Sequence, residues 1–293
     1  VQHQVNTTRP NLFFEHLSPV VGVGFPVPKD WLPITSFPLL ILVGMTGVGK
    51  STITKALAEE GLDFTLLPNR RVLTERVIIA PMLKMQEKLV QPHCRIKRLT
   101  YTRLYREYFP GGMGHILASL HINPQEVNSM LVFDSLRGEN EVRYAATALK
   151  NAKFVMLTAP NTVRLERLLK RHDSFDRIAH QELDDGMQII PEVLSNFASL
   201  GVPEASAYFT PKEEQQILEL VSKQVVTGVE LREKLKIFVE ESQNYDSVPT
   251  KHILEAMDTS DRSLIIDTIT SPQESAKAII SRLCKSVNIK TNK

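Results

Sequence analysis

Along the middle of the chain, apolar residues gather into short unbroken runs separated by stretches of helical spacing. Leu39-Leu-Ile-Leu-Val43 leads into a helical pattern over 51–60, and a weaker run, Phe64–Leu67, follows it. Met130-Leu-Val-Phe133 closing on Asp134, then Phe154-Val-Met-Leu157 and Leu264-Ile-Ile266, repeat the theme. Runs without a polar face predict strands buried on both sides. Their alternation with helices predicts a three-layer α/β fold with a mostly parallel sheet.

Between about 173 and 260 the strand signal disappears. Thr210-Pro-Lys-Glu213 forms a capping box with proline at the first helical position, and Ile217, Leu218, Val221 and Val225 follow at helical spacing. Thr227 and Glu230 open a second helix through Leu231, Leu235, Phe238 and Val239. Ser271-Pro-Gln-Glu274 opens a last one after the final strand. At the other end, Pro10, Pro19, Pro26, Pro28, Pro33 and Pro38 predict an extended arm laid over the body. Its Phe13, Phe14, Phe25 and Trp31 either pack on the body or meet a partner. The expected organisation is an arm over 1–38, a core over 39–172, an all-helical insertion or lid over 173–260, and the last strand and helix of the core over 261–293.

Composition narrows the class. With 42% hydrophobic and 23% charged residues, the chain has the material for a full core. A net charge of +2 gives no general attraction to nucleic acid or an anionic membrane. Tyr101, Arg103, Tyr105, Arg106 and Tyr108 interleave aromatic and basic side chains, which fits either a base-stacking surface or a helix face ahead of a glycine-rich stop. The longest apolar run falls far short of the ~20 residues that span a bilayer. Cys94 and Cys284 form no C-x-x-C motif, and His93, His115, His121 and His172 form no H-x-x-x-H pair, so neither set points to a zinc site. A cytoplasmic protein is expected.

The most specific chemistry lies in Gly44-Met45-Thr46-Gly47-Val48-Gly49-Lys50-Ser51-Thr52. It matches G-x-x-x-x-G-K-[ST], after a strand and at the start of a helix. Glycines let successive N–H groups curl toward phosphate oxygens, Lys50 would meet the β- and γ-phosphates, and Ser51 would offer its hydroxyl to Mg²⁺. The implied ligand is a nucleoside triphosphate, taken as ATP.

On this motif and its strand and helix flanks the sequence resembles the P-loop NTPases, and within them the small kinases akin to nucleoside monophosphate kinases, gluconate kinase and shikimate kinase. The resemblance covers 39–172 and 262–285. It implies that Asp134, at the end of an apolar strand, supports Mg²⁺ together with Ser51. Ser135 follows where ATP-driven motors place a glutamate, and no N-K-x-D or L-S-G-G-Q occurs, which argues against motor, GTPase and transporter readings. Arg164, Arg167 and Arg171 share one helical face where these kinases begin their lid, so Arg167 and Arg171 are candidates to neutralise the transferring phosphoryl group. The alternative for them is a solvated basic face.

Arg70 and Arg71 follow the second strand and Arg137 the third, at the sheet end where ligands bind, so they are candidates to hold the acceptor. Pairing with Glu75, Glu139 or Glu141 is their structural alternative. The position that usually carries a carboxylate for a hydroxyl acceptor is Asn69, which tilts the reading toward a phosphorylated acceptor or water. The sequence thus implies a Mg-ATP-dependent kinase acting on a small anionic metabolite, plausibly a nucleotide or nucleoside. The alternative is an ATP-hydrolysing switch that binds a protein partner through residues 173–260.

Overall fold

The computed structural model describes residues 13–85, 95–127, 129–171, 194–258 and 261–286. His93, Cys94, His172 and the first part of the expected insertion, 173–193, lie outside the described residues. Strands β1 (Glu15–His16), β2 (Val21–Val23) and β3 (Leu32–Pro33) precede β4 (Leu39–Val43), which leads through the glycine loop into α1 (Lys50–Glu59) and β5 (Phe64–Leu66). A helical stretch follows, comprising α2 (Arg70–Leu73), the π-helical Thr74–Ile79 and α3 (Ala80–Met85), and then α4 (Arg95–Tyr108), α5 (Gly112–Ala118) and β6 (Leu120–Ile122). Next come β7 (Met130–Leu136), α6 (Glu139–Ala148), β8 (Ala152–Thr158) and α7 (Asn161–Leu169). The chain continues with α8 (Pro211–Ser222), α9 (Gly228–Asn244), α10 (Ser247–Asp258), β9 (Ser263–Asp267) and α11 (Pro272–Ser286).

Five strands form a parallel sheet in the order β5-β7-β4-β8-β9. The unbroken apolar runs have the meaning expected of them. Leu40 and Leu42 of β4 pack with α1 and α11 through Ile53, Leu57, Ile279 and Leu283. Leu39, Ile41 and Val43 pack on the opposite face with Val142 of α6, Ile116 of α5 and Leu254 of α10. Both faces of β4 are covered, which makes the three layers. β7 runs beyond Asp134 to Leu136 because its pairing with β4 continues past an irregularity between Ile41 and Val43.

The proline-rich N-terminal stretch is more than an arm. β1, β2 and β3 join β6 in a small antiparallel sheet, ordered β1-β2-β6-β3, and Val21 and Val23 enter the same core as the main sheet. Strands of two or three residues are too short to show an alternating pattern in sequence.

The capping boxes at Thr210, Thr227 and Ser271 all form. In each, the hydroxyl accepts the N–H three residues on while the glutamate returns to the cap N–H. α8 and α9 enclose their own core of Ile217, Val221, Leu231, Leu235 and Phe238, together with Phe197, Leu200 and Phe209. Leu165 of α7 belongs to that core, so α7 joins the helical body to the sheet. Among the described residues, no helix is long and apolar enough to cross a membrane.

Candidate functional site

The loop 44–49 sits at the carboxyl end of β4, with α1 starting at Lys50 behind it. Gly47 (φ 86°) and Gly49 (φ 91°) occupy the left-handed region. Gly47 also admits no side chain, since a Cβ there would meet the main-chain oxygen of Arg164 at 2.5 Å. The loop therefore rests backbone to backbone on α7. Lys50 Nζ donates to the carbonyls of Gly44 (2.5 Å) and Met45 (2.9 Å). Ser51 and Thr52, at the exposed start of α1, line a cavity of about 650 Å³ in front of the loop.

Burial lowers the Lys50 pKa to about 7; Arg137 pushes the same way, while Glu241 and Asp134 oppose it. A triphosphate in the loop would restore the charged form, so binding above neutrality takes up a proton. ATP affinity should hold steady below about pH 7 and weaken as the pH rises through it. Calorimetric titrations from about pH 6 to about pH 9, in buffers of differing ionisation enthalpy, read both affinity and proton uptake. Constant affinity with no proton uptake would show that the lysine enters binding already charged.

Asp134 lines the cavity, and the Ser135 hydroxyl donates to its Oδ1 at 2.7 Å. Among the described residues, no group of three His, Cys, Asp or Glu side chains is gathered to hold a metal alone. The donor set fits Mg²⁺ nonetheless. Magnesium takes one or two protein oxygens and fills its octahedron with phosphate and water, and Ser51 with Asp134, both on the cavity, would be the pair to hold it.

The arginines divide by what they touch. Arg71, Arg137 and Arg171 line the cavity. Arg70 also borders it, but its guanidinium is spent on a buried network, with Glu141 at 2.8 and 2.6 Å and the Tyr245 hydroxyl at 2.6 Å. Burial works against the Arg70 charge, yet Glu141 and Tyr245 hold its pKa above the usual guanidinium value. Arg164, buried, donates from Nε to the Thr46 carbonyl (3.2 Å) and from Nη1 to Asn161 (3.0 Å), and lies 4.5 Å from the Phe238 ring centroid. Arg167 donates to the Gly47 carbonyl (3.1 Å) and to the hydroxyl (3.0 Å) and carbonyl (2.8 Å) of Thr268, just past β9. It lines the cavity while bracing the loop.

Asn69 has a structural duty at the position where a carboxylate was sought. Its side chain caps α2 by accepting the N–H groups of Arg71 (3.0 Å) and Val72 (3.2 Å). Of the interleaved α4 residues, Tyr105 is buried against Phe109 and His115, and Arg106 donates to the main chain and side chain of Asn244.

Several site residues escaped the sequence reading. Arg98, Leu99 and Thr102 of α4 form a cavity wall, with Arg98 paired to Glu75 at 2.8 Å. Glu241 of α9 reaches Thr46 in the loop itself. Only the basic character of α4 hinted at the first group, and nothing local hinted at Glu241.

A glycine loop between a parallel strand and a helix, with its lysine, hydroxyl and strand carboxylate around one cavity, defines a P-loop nucleotide-binding protein. The family described as an AAA domain matches residues 40–188, half of the chain, and the chain belongs to that family. In this member Ser135, not a glutamate, follows Asp134. No curated protein matches the sequence.

Among solved structures, the chain is similar to a sugar kinase from Janibacter sp. HTCC2649, at 13% identity over 84% of this chain and 94% of that one, with a TM-score of 0.35. It is also similar to a gluconokinase from Sinorhizobium meliloti 1021, at 14% identity over 86% and 95% with a TM-score of 0.34. A shikimate kinase from Acinetobacter baumannii in complex with shikimate gives 14% identity over 86% and 96%, with a TM-score of 0.32.

Proposed function

We propose that the protein transfers the terminal phosphoryl group of Mg-ATP to a small anionic acceptor. The observation that carries this reading is the charge of the cavity. From the phosphate loop to α4 its lining includes Lys50, Arg71, Arg98, Arg137 and Arg171, with Asp134 as the one acidic side chain among the described residues that line it. Glu75 and Glu241 pair with Arg98 and Arg137 from outside the lining, and the lining itself suits a triphosphate and a second anion side by side.

In this reading the loop N–H groups and Lys50 hold the β- and γ-phosphates. Mg²⁺, supported by Ser51 and Asp134, neutralises charge on the phosphates when bound. Arg137 and Arg171 face the phosphoryl group in transfer, while Arg71 and Arg98 hold the acceptor. A screen of labelled ATP against nucleosides, nucleoside monophosphates, sugars, sugar phosphates and small acids tests this. Labelled product from a charged acceptor is the expected result. Free phosphate alone would favour the ATP-hydrolysing switch, a reading that draws on the separate core of α8 and α9 and its link to the loop through Glu241.

The bonds of Arg167 recast what is expected of that residue. A side chain acting only on the transferring phosphoryl group would, when removed, lower kcat and spare ATP affinity. A brace between Gly47 and Thr268 would, when removed, slacken the loop before chemistry begins. Arg167→Ala should therefore raise the ATP KM about tenfold or more, because bonds from a charged donor contribute about 1.5–3 kcal/mol each and part of that loss falls on ATP binding. Steady-state kinetics decides: a fall in kcat alone would return Arg167 to the phosphoryl group.

A further inference from the structure

Glu241 lies on α9, in the segment that the resemblance to small kinases does not cover, yet it ends on the phosphate loop. It is 1% exposed. Its Oε1 accepts the Thr46 N–H at 3.0 Å and the Thr46 hydroxyl at 2.9 Å, and Arg137 Nη1 lies 2.9 Å from the same oxygen. A buried carboxylate carries a large desolvation penalty, so it persists where it balances charge that the fold needs.

Holding α9 in place does not require that charge. Leu231, Leu235, Phe238 and Val239 already seat the helix in the helical core, and the Phe238 ring meets Arg164 from α7. What Glu241 adds is directed at the loop and at Arg137. Two basic side chains, Arg137 and Lys50, line the same cavity beside the loop, and the charge of Arg137 bears on Lys50. Arg137 borders the cavity whereas Glu241 does not, so Glu241 acts through its partners.

We infer that Glu241 is a positioning residue for phosphoryl transfer: it fixes the loop apex at Thr46 and aims Arg137 at the phosphate that Lys50 holds. This rests on the phosphoryl-transfer reading above. It makes the helical body part of the reaction machinery. α9 supplies the ionised partner that keeps a basic side chain at the phosphate while leaving the cavity clear for nucleotide and acceptor.

Glu241→Gln keeps the shape and an accepting oxygen while removing the charge. The probe is Mg-ATP with water as acceptor, followed in single turnovers, alongside equilibrium binding of ATP. Turnover of bound ATP should fall about tenfold or more, whereas ATP affinity should stay level or tighten, because a negative charge near the phosphates is gone. The effect should be non-additive with Arg137→Ala: adding Glu241→Gln to that variant slows it far less than it slows the parent.

A merely structural carboxylate would lower the melting temperature and the active fraction, and its effect would multiply with that of Arg137→Ala. That result, or a folded Glu241→Gln protein with parental turnover, overturns the inference alone. A parent that turns over ATP neither with water nor with any acceptor of the screen overturns both this inference and the transfer reading. If Glu241→Gln does not fold, Thr46→Val and Arg137→Lys each remove or alter one of its contacts and are read the same way. Parental turnover in both would count against the assignment.

Discussion

Lys50→Ala should cut ATP turnover on the order of 10²–10³-fold or more while leaving the protein folded. The Lys50 Nζ rests on the carbonyls of Gly44 and Met45, inside the glycine loop. No carboxylate among the described residues is hydrogen-bonded to it, and burial has brought its pKa down to about 7. Such a residue is held charged by its ligand more than by its fold. The sign of the linkage agrees. A lysine whose folded pKa is lowered opposes folding while the solution is acidic enough to protonate it, and that opposition fades as pH rises through about 7 toward the unfolded value of 10.5. The nucleotide-free variant should therefore melt at or above the temperature of the parent in neutral buffer. Parental turnover in Lys50→Ala would show that the glycine loop is not the reaction centre.

Arg70→Ala should lower stability by about 3–5 kcal/mol, the range for breaking one partner out of a buried ion pair. Glu141 has no exposed surface, and its remaining bond among those described is the Arg137 N–H at 3.1 Å. The Arg70 guanidinium also underpins Tyr245, whose ring Arg106 and Arg137 approach to 5.2 and 5.7 Å. Urea unfolding of the nucleotide-free protein measures the loss. Pairing Arg70→Met with Glu141→Leu should recover a large part of it, because both charges then leave together. A loss below about 1 kcal/mol, with a raised acceptor KM, would restore Arg70 to acceptor binding, the role its sequence position suggests.

The difference between Lys50 and Arg70 marks how far the sequence could be read. The phosphate loop is a contiguous motif, and its flanking strand and helix are contiguous patterns, so each announces itself locally. The capping boxes at Thr210, Thr227 and Ser271 each span four residues and are equally plain. Arg70, by contrast, stood open between acceptor binding and pairing with Glu75, Glu139 or Glu141, and the partners that decide it, Glu141 and Tyr245, lie 71 and 175 positions away. Glu241 reaches Thr46 across 195 positions. On sequence alone it is one acid among several on an amphipathic helix.

Asn69 misled in another way. Its amide oxygen serves the backbone of α2, so its lack of charge says nothing about the acceptor. The small sheet of β1, β2, β3 and β6 was hidden by the brevity of its strands, and α4 by a cavity wall that only folding assembles.

The anchorage of Arg167 at Thr268 bears on how the chain is made. The phosphate loop leaves the ribosome long before β9 does, and at about 5–20 residues per second Thr268 follows roughly 10–40 s later. Throughout that interval the loop lacks one of its braces, and β8 presents the bare edge that β9 will cover. An apolar parallel strand with an open edge invites pairing with another nascent chain. The nucleotide site is thus finished by a segment synthesised long after the loop it braces, and translation speed and chaperone cover over residues 159–262 become determinants of the yield of active protein.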